Sequence, residues 1–282
     1  MITVHTVAEL RAQLGAWRKA GERIAFAPTM GNLHRGHLRL MEQGRQRAER
    51  VVASVFVNPL QFGPNEDFER YPRTLAQDQA ALESAGVDLL FAPSVAEMYP
   101  QGRDGLTTIR VSGVTEVLEG AFRPGHFDGV ATVVNILFNL VQPDAALFGE
   151  KDYQQLAVIR RMVTDLRMPL QIVGVPTERD ADGLALSSRN QYLTPPERAR
   201  AGEIHRSLMA VAEALTNGRR DFDTLSEEQC SRLNMQGFNV QYLVVRRPDL
   251  SAPAAADSAF VVLVAAKLGN TRLIDNVQVM PG

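Results

Sequence analysis

The sequence predicts an α/β fold: a doubly wound parallel sheet of the Rossmann-like kind, followed by a smaller C-terminal α+β domain. The first observation is that short apolar runs alternate with amphipathic stretches as far as residue 176, which is the pattern of repeated βαβ units. The second is a change beyond residue 192, where two helical stretches precede several short apolar runs. We therefore expect one domain at 1–176 and another at 177–282.

The strands of the first domain are predicted from short runs rich in apolar residues, as expected for strands buried on both faces. These runs lie at 24–29, 51–57, 87–92, 145–148 and 170–175. The helices are predicted from apolar residues at helical spacing between the runs, and Gly86 marks the end of one of them. The predicted helices lie at 34–49, 75–85, 130–141 and 153–166.

The second domain is predicted to begin with one long helix. A Thr-Pro-Pro-Glu sequence at 194–197 is a typical helix start and Asn-Gly at 217–218 a typical end, so the helix should run to residue 215. A further helix and three short strands complete a small α+β unit, at 222–235, 240–245, 260–265 and 272–274.

Composition excludes several classes of protein. The 282 residues carry a formal net charge of −2, so the chain offers no basic field for general binding of nucleic acid. The single cysteine, Cys230, excludes an intrachain disulfide and a zinc site built from cysteines, and it fits a reducing cytoplasm. No apolar run reaches the roughly 18 residues of a membrane span, and the first residues do not form an export signal. We expect a cytoplasmic protein.

The most informative motif follows the first predicted strand. The sequence His-Arg-Gly-His at 34–37 places two histidines on one face of a helix that begins there. A helix N-terminus presents unpaired N–H groups and a positive dipole end, and imidazoles beside it can hydrogen-bond phosphate oxygens or protonate them. The motif therefore predicts a nucleotide-phosphate site. Half of a zinc site is the alternative, but it needs a third ligand such as a carboxylate, His5, His126 or His205.

Two further segments suit a small polar substrate. Asn58 and Gln61 follow the second predicted strand, and their amides both donate and accept hydrogen bonds, which suits an acid with hydroxyl groups. A plain turn with Asn before Pro is the alternative. The loop at 118–127 contains Glu119 and Arg123, which form either an exposed ion pair of little energetic value or a pair that holds a site loop closed.

Two more segments suit a nucleotide. Gly149 ends a predicted strand and allows close approach to the backbone, Lys151 offers a point charge for phosphate, and Asp152 suits a ribose hydroxyl or a helix cap. The predicted interdomain loop contains Leu-Ser-Ser-Arg at 186–189. Hydroxyls and a guanidinium in a mobile loop can close over a triphosphate and hold the leaving pyrophosphate, although a solvated polar turn has the same composition.

Taken together, the segments resemble one enzyme family. The chain closely resembles the pantothenate synthetases, which carry the HIGH motif of the nucleotidylyltransferase superfamily, through the order and spacing of Pro-Thr-Met-Gly-Asn-Leu-His-x-Gly-His, Phe-Val-Asn-Pro-x-Gln-Phe, Leu-Glu-Gly-x-x-Arg-Pro-Gly-His-Phe, Phe-Gly-Glu-Lys-Asp-Tyr-Gln-Gln and Gly-Leu-Ala-Leu-Ser-Ser-Arg-Asn. The resemblance runs from about residue 24 to 193 and resumes at 263–276, so it includes both expected domains.

The resemblance implies an ATP-dependent ligase. It implies condensation of (R)-pantoate with β-alanine to pantothenate through an enzyme-bound pantoyl adenylate, with AMP and pyrophosphate released. It also implies that ATP is the co-substrate, that Mg²⁺ arrives with ATP and does not occupy a site made by protein side chains alone, and that the chain forms a homodimer through its larger domain. Nucleic acid and membrane are not implied partners.

The resemblance also assigns roles to individual residues. The residues implied to bind ATP are Met30, Gly31, Asn32, Leu33, His34, Arg35, Gly36, His37, Gly149, Glu150, Lys151, Asp152, Glu178, Leu186, Ser187, Ser188 and Arg189. The residues implied in catalysis are His37 as proton donor and His34, Lys151, Ser187, Ser188 and Arg189. Those implied to bind pantoate or β-alanine are Gln61, Gln155 and Asn58, and those implied to support the site are Tyr71, Glu119 and Arg123. Glu178 stands where a small or apolar residue is expected, so only a main-chain contact carries over.

Two other functions stay open on the motifs alone. A nucleotidylyltransferase without amide ligation needs the first and last motifs but no site for an amine. A nucleotide-binding regulator needs Gly149 and Lys151 and tolerates loss of the histidines. Because neither function uses the amides of Asn58 and Gln61, we expect the ligase.

Overall fold

The computed structural model describes residues 1–64 and 66–280. Its contacts divide the chain into two units, and the main division falls between Pro176 and Thr177. The first unit comprises Met1–Glu150 and Gln154–Pro176, and the second comprises Lys151–Tyr153 and Thr177–Gly282. Lys151–Tyr153 therefore clusters with the second unit, although it lies within the expected first domain.

The described residues of the first unit form a six-stranded parallel sheet. Its strands are β1 (Ile2–Val4), β2 (Ile24–Thr29), β3 (Arg50–Val55), β4 (Leu89–Phe91), β5 (Ala145–Gly149) and β6 (Gln171–Val175). Their order across the sheet is β1-β4-β3-β2-β5-β6. Starting from β2, the chain adds strands on one side as far as β4 and then returns to add β5 and β6 on the other side. The sheet is therefore doubly wound, and its reversal point lies between β2 and β5.

Helices cover both faces of this sheet. They are α1 (Val7–Lys19), α2 (Arg35–Arg45), α3 (Leu75–Ser84), α4 (Val95–Met98), α5 (Glu119–Phe122), α6 (His126–Val141) and α7 (Tyr153–Asp165). Side chains alternate along β2, so Phe26 packs in the core with α1, α6 and α7, whereas Ala25 and Ala27 pack in the core with α2 and α3. The predicted parallel α/β fold is confirmed.

Two elements at the N-terminus were not predicted. Strand β1 is only three residues long, too short to show a period. Helix α1 begins with a capping box, in which the Glu9 N–H donates to Thr6 Oγ1 at 3.3 Å and the Thr6 N–H donates to Glu9 Oε2 at 3.0 Å. Its buried residues, Leu10, Leu14 and Trp17, recur at helical spacing. The capping box and the helical spacing of these apolar residues were both present in the sequence.

Two predicted helices have different ends. The helix predicted at 34–49 ends at Arg45, and residues 46–49 connect it to β3. Helix α6 begins at His126 and not at residue 130, directly after Gly125, whose φ of +80° only glycine adopts without strain. The other predicted elements of the first unit are confirmed, with ends that shift by one or two residues.

The described residues of the second unit form a three-stranded antiparallel sheet with helices packed against it. Its elements are α8 (Pro195–Ala201), α9 (Glu203–Thr216), α10 (Phe222–Met235), β7 (Phe238–Arg246), β8 (Phe260–Leu268) and β9 (Thr271–Val279). The prediction of one long helix up to residue 215 was wrong, because a turn at Gly202 separates α8 from α9. A Cβ at Gly202 would lie 2.6 Å from the Asp182 carbonyl oxygen, so this turn requires glycine.

Candidate active site

Three of the sequence motifs follow the central strands of the first unit. The motif at 30–37 follows β2, the segment at 58–61 follows β3, and Gly149 ends β5. Strand β2 pairs with both β3 and β5 in parallel, so all three motifs lie at the carboxyl edge of the sheet. In open α/β sheets this edge, at the point where strand order reverses, is where ligands bind.

The loop after β2 is held by a buried carboxylate. Asp78, in the first turn of α3, is 2% exposed and accepts hydrogen bonds from the Asn32 N–H at 3.0 Å and the Leu33 N–H at 2.8 Å. The Thr74 hydroxyl donates to the same carboxylate at 3.1 Å. A Cβ at Gly31, where φ is +80°, would lie 2.9 Å from Asp78 Oδ2. Asp78 therefore sets the backbone of the predicted ATP loop.

The two histidines of the motif lie together at the start of α2. His34 is the N-cap residue and His37 is in the first turn, and their ring centroids are 4.0 Å apart. The His34 N–H donates to His37 Nδ1 at 3.3 Å. Since Nδ1 accepts this bond, a neutral His37 ring carries its proton on Nε2. That nitrogen is then a donor beside the N-terminus of α2.

The amides of Asn58 and Gln61 are bonded to each other. Asn58 is 1% exposed, and its Nδ2 donates to Gln61 Oε1 and to the Gly129 carbonyl, both at 3.1 Å. Its Oδ1 accepts from the Leu60 N–H at 3.2 Å and from the Tyr99 hydroxyl at 2.7 Å. These four bonds use both donors and both lone pairs of the Asn58 amide. Asn58 therefore orients Gln61 in this structure.

The loop at 118–127 is tied to the segment after β3. From the sequence we considered an ion pair between Glu119 and Arg123. In the structure, Arg123 donates from Nε and Nη2 to the two carboxylate oxygens of Glu66, each at 2.6 Å. Burial raises the pKa of Glu66, but the hydrogen bonds and charge of Arg123 outweigh burial, so the net shift is downward. Tyr71, buried in the same segment, contacts Phe62 edge-on at 5.9 Å between ring centroids.

The two glutamines at the start of α7 have different surroundings. Gln154 is buried, and its side chain accepts from the Glu119 N–H at 3.0 Å and donates to the carbonyls of Val114 and Val117 at 2.7 and 2.8 Å. It holds the loop before α5. Gln155 is half-buried and lies on the same helical turn, after the end of β5. Of the pair, Gln155 is the residue predicted to bind substrate.

In the second unit, the interdomain loop predicted from the sequence contains a short hairpin whose base is bonded to β9. The Leu186 N–H donates to the Glu178 carbonyl at 2.9 Å, and Arg179 forms a β-bridge with Ala185. The Arg179 guanidinium donates to both oxygens of the buried Asp275 carboxylate, at 2.6 and 2.9 Å. The base of the hairpin is therefore fixed to the sheet by an ion pair with a buried carboxylate.

The polar residues that follow this hairpin begin a short helical turn. Ser187 precedes the turn at Ser188–Tyr192, and its hydroxyl accepts from the Arg189 N–H at 3.3 Å. Asn276, next to Asp275 on β9, donates to the Lys151 carbonyl at 2.9 Å. Lys151 and Asp152, both half-buried, thus lie against the strand that also anchors the hairpin.

The structure also bears on metals and membranes. Within residues 1–64 and 66–280, no group of three or more His, Cys, Asp or Glu side chains is arranged to hold a metal ion. His126, one of the third zinc ligands considered above, has its ring nitrogens bonded to the Gln61 carbonyl and to Arg123. Among the described helices, none combines the length and apolar character that crossing a bilayer requires.

Sequence reasoning missed several residues that build these segments. Asp78 and Tyr99 lie far along the chain from the loops they bond, and Asp275 and Asn276 support the second unit in the same way. The signal for Asp78 was a carboxylate in the first turn of a helix, four residues after Thr74. Asp275 and Asn276 lie within the stretch at 263–276 that resembles the family, and their charge and amide interrupt an apolar strand.

Sequence comparison places the chain among known enzymes. A model of the family described as pantoate-beta-alanine ligase matches residues 2–278. The chain is 58% identical over 278 residues to the pantothenate synthetase of a Pseudomonas putida strain, covering 98% of this chain and 97% of the relative.

Solved structures agree with this result. A crystal structure of pantothenate synthetase from Thermus thermophilus has a TM-score of 0.93 and 52% identity, with both chains covered completely. A pantoate-beta-alanine ligase from Francisella tularensis, crystallised with beta-gamma ATP and beta-alanine, has a TM-score of 0.82 and 35% identity, covering 98% of this chain and 97% of that one. The chain belongs to the pantoate-beta-alanine ligase family.

Proposed function

We propose that this chain condenses pantoate with β-alanine in two steps, through a pantoyl adenylate that stays bound. In the first step a carboxylate oxygen of pantoate attacks the α-phosphorus of ATP, and pyrophosphate leaves. In the second step the amine of β-alanine attacks the acyl carbon, and AMP leaves with that oxygen while the new amide loses a proton. Family membership supports the overall reaction, and the ligands of the Francisella enzyme support ATP and β-alanine as co-substrates.

One observation carries the proposal. The histidine pair at 34 and 37 and the amide pair at 58 and 61 follow adjacent strands, β2 and β3, at the carboxyl edge of the sheet. The first pair suits developing phosphate charge, and in the second pair the Gln61 amide, held by Asn58, suits the hydroxyl and carboxylate groups of a small acid. A direct contact joins the two segments, because Gln61 Nε2 lies 3.1 Å from Met30 Sδ.

Within the first unit, residues 30–37 and Gly149–Glu150 are proposed to bind ATP. His37, with Nε2–H beside the N-terminus of α2, is proposed to donate a hydrogen bond to the phosphates as charge develops, and His34 to contact them. Gln61 and Gln155 are proposed to bind pantoate, with Gln61 also near the amine of β-alanine. The bonds of Asn58 support a role in holding Gln61.

Within the second unit, Lys151 is proposed to contact phosphate and Asp152 a ribose hydroxyl. Leu186, Ser187, Ser188 and Arg189 are proposed to close over ATP and to act on the leaving pyrophosphate. Glu178 is proposed to contact adenine through its main chain. Its carbonyl accepts the hydrogen bond from the Leu186 N–H at the base of the hairpin. The ion pair between Arg179 and the buried Asp275 supports this role by fixing the base of the hairpin.

Three further features are proposals from the family resemblance. Mg²⁺ would be held mainly by the phosphates of ATP, as this cation commonly is in sites that use a nucleotide. We place the reaction in the cytoplasm, where ATP is supplied. We also propose a homodimer, for which light scattering should give twice the 31.0 kDa mass of the chain.

The purified protein should release AMP only when ATP, pantoate and β-alanine are all present. The reason is that the adenylate stays bound until the amine displaces AMP. Nucleotide chromatography of mixtures that each lack one substrate measures this directly. Formation of ADP, or steady AMP release without β-alanine, would contradict the proposed reaction.

A further inference from the structure

His126 makes two hydrogen bonds that fix its protonation. Its Nδ1 lies 2.8 Å from the Gln61 carbonyl oxygen, which can only accept a hydrogen bond. Its Nε2 lies 3.0 Å from Arg123 Nη1, which can only donate one. Both bonds therefore require a neutral ring with its proton on Nδ1.

The surroundings of the ring favour the same state. Burial, followed by the nearby positive charge of Arg123, lowers the pKa of His126 to about 4. Glu66 faces Arg123 and pairs with it, so Arg123 is held in place while it donates to the histidine. At about pH 7 the ring is neutral and serves as a fixed donor to Gln61.

The hydrogen bond from His126 Nδ1 is made to Gln61, the residue proposed to bind pantoate. The first turn of α6 packs tightly on this segment, because a Cβ at Gly129 would lie 2.2 Å from the Leu60 carbonyl oxygen. The side chain of Gln61 is held separately by Asn58. Gln61 is thus fixed at its main chain by His126 and at its side chain by Asn58, and its amide keeps one N–H and one lone pair for a ligand.

We propose that His126 is a positioning residue that orients the Gln61 amide toward pantoate by donating from Nδ1 to the Gln61 carbonyl. This inference rests on the proposed role of Gln61. The loss of this donor leaves the carbonyl of the buried residue Gln61 without its main partner and frees the short turn that carries the amide. The cost should fall on pantoate binding and not on ATP.

Three substitutions of His126 distinguish the effects of the two hydrogen bonds that its ring makes. The side-chain amide of His126→Asn can replace the Nδ1–H donor, whereas His126→Gln can replace only the acceptor at Nε2, and His126→Leu replaces neither. We expect His126→Gln and His126→Leu to raise KM for pantoate about tenfold, with kcat and KM for ATP changed less than about threefold. His126→Asn should stay within about threefold of the parent chain.

The control is His5→Leu. The exposed His5 ring also bonds a carbonyl, that of Ala92 at 2.8 Å, but lies outside the motifs, so its loss should leave every kinetic constant unchanged. Thermal unfolding of each variant checks the fold, and if His126→Leu does not fold, the comparison of Asn with Gln decides. An unchanged KM for pantoate in His126→Gln, or an equal rise in His126→Asn, would overturn the inference. Failure of the parent chain to make AMP from all three substrates would instead overturn the proposed function.

Discussion

Replacing His37 with alanine should lower kcat by about 10²- to 10⁴-fold, the range expected for losing a positioned donor to developing phosphate charge. The His34 N–H bonded to Nδ1 places the proton of the neutral ring on Nε2, beside the N-terminus of α2. We propose that a donor at this point stabilises phosphate charge as the carboxylate attacks, and alanine offers no replacement. Steady-state release of AMP, with pyrophosphate measured in parallel, gives the change in rate.

The fold should survive this substitution. The loss of one capping hydrogen bond lowers the free energy of unfolding by about 0.5–2 kcal/mol, which a chain of this size tolerates. Glu42→Ala is the matched control, because Glu42 lies on the same helix with an exposed side chain paired to Arg39. It should leave kcat unchanged. A His37→Ala enzyme with near-normal kcat would remove His37 from the chemistry.

Replacing Asp78 with alanine should damage ATP use through the loop at 30–33. The substitution removes the acceptor for the N–H groups of Asn32 and Leu33 and for the Thr74 hydroxyl. Hydrogen bonds to a charged group contribute about 1.5–3 kcal/mol each, and the contributions of three bonds that share one carboxylate do not simply add, so we expect the free energy of unfolding to fall by at least about 3 kcal/mol. We expect kcat/KM for ATP to fall about 10²-fold, because Gly31 and Asn32, both at positive φ, lose the contact that holds them.

Urea unfolding and ATP titrations at saturating pantoate measure the two effects. Glu83→Ala is the control on the same helix, since Glu83 has an exposed side chain that pairs with the N-terminal amine, away from the loop at 30–33. It should change kcat/KM for ATP by less than about twofold. If Asp78→Ala binds ATP normally, the conformation of the loop does not depend on this carboxylate.

Much of the fold was predictable because the central strands are dense in apolar residues. Strand β2 was predicted at both ends, since its side chains pack on both faces of the sheet and leave no polar interruption. The edge strand β1 gave no comparable signal in three residues. Helix α1 could have been predicted from its capping box at Thr6 and Glu9. The turn at Gly202 depends on the close approach of Asp182, which no local pattern records.

The motifs of the candidate site could be predicted from the sequence, but the residues that hold those motifs in place could not. Motifs after β2, β3 and β5 could be assigned to one edge because parallel strands end together. Asp78 and Tyr99 act on these motifs from distant points in the chain, and only the structure reveals those bonds. Spacing also could not separate Asn58, whose amide is fully bonded within the protein, from Gln61, whose amide is only partly so.

This chain is proposed to activate pantoate by joining its carboxylate to AMP. Pantoate labelled with ¹⁸O in its carboxylate tests this most directly, because the oxygen that attacks the α-phosphorus leaves with AMP. Mass spectrometry after a complete reaction should find one ¹⁸O in each AMP and none in pyrophosphate. Unlabelled AMP, or ¹⁸O in inorganic phosphate together with ADP, would contradict the formation of a pantoyl adenylate.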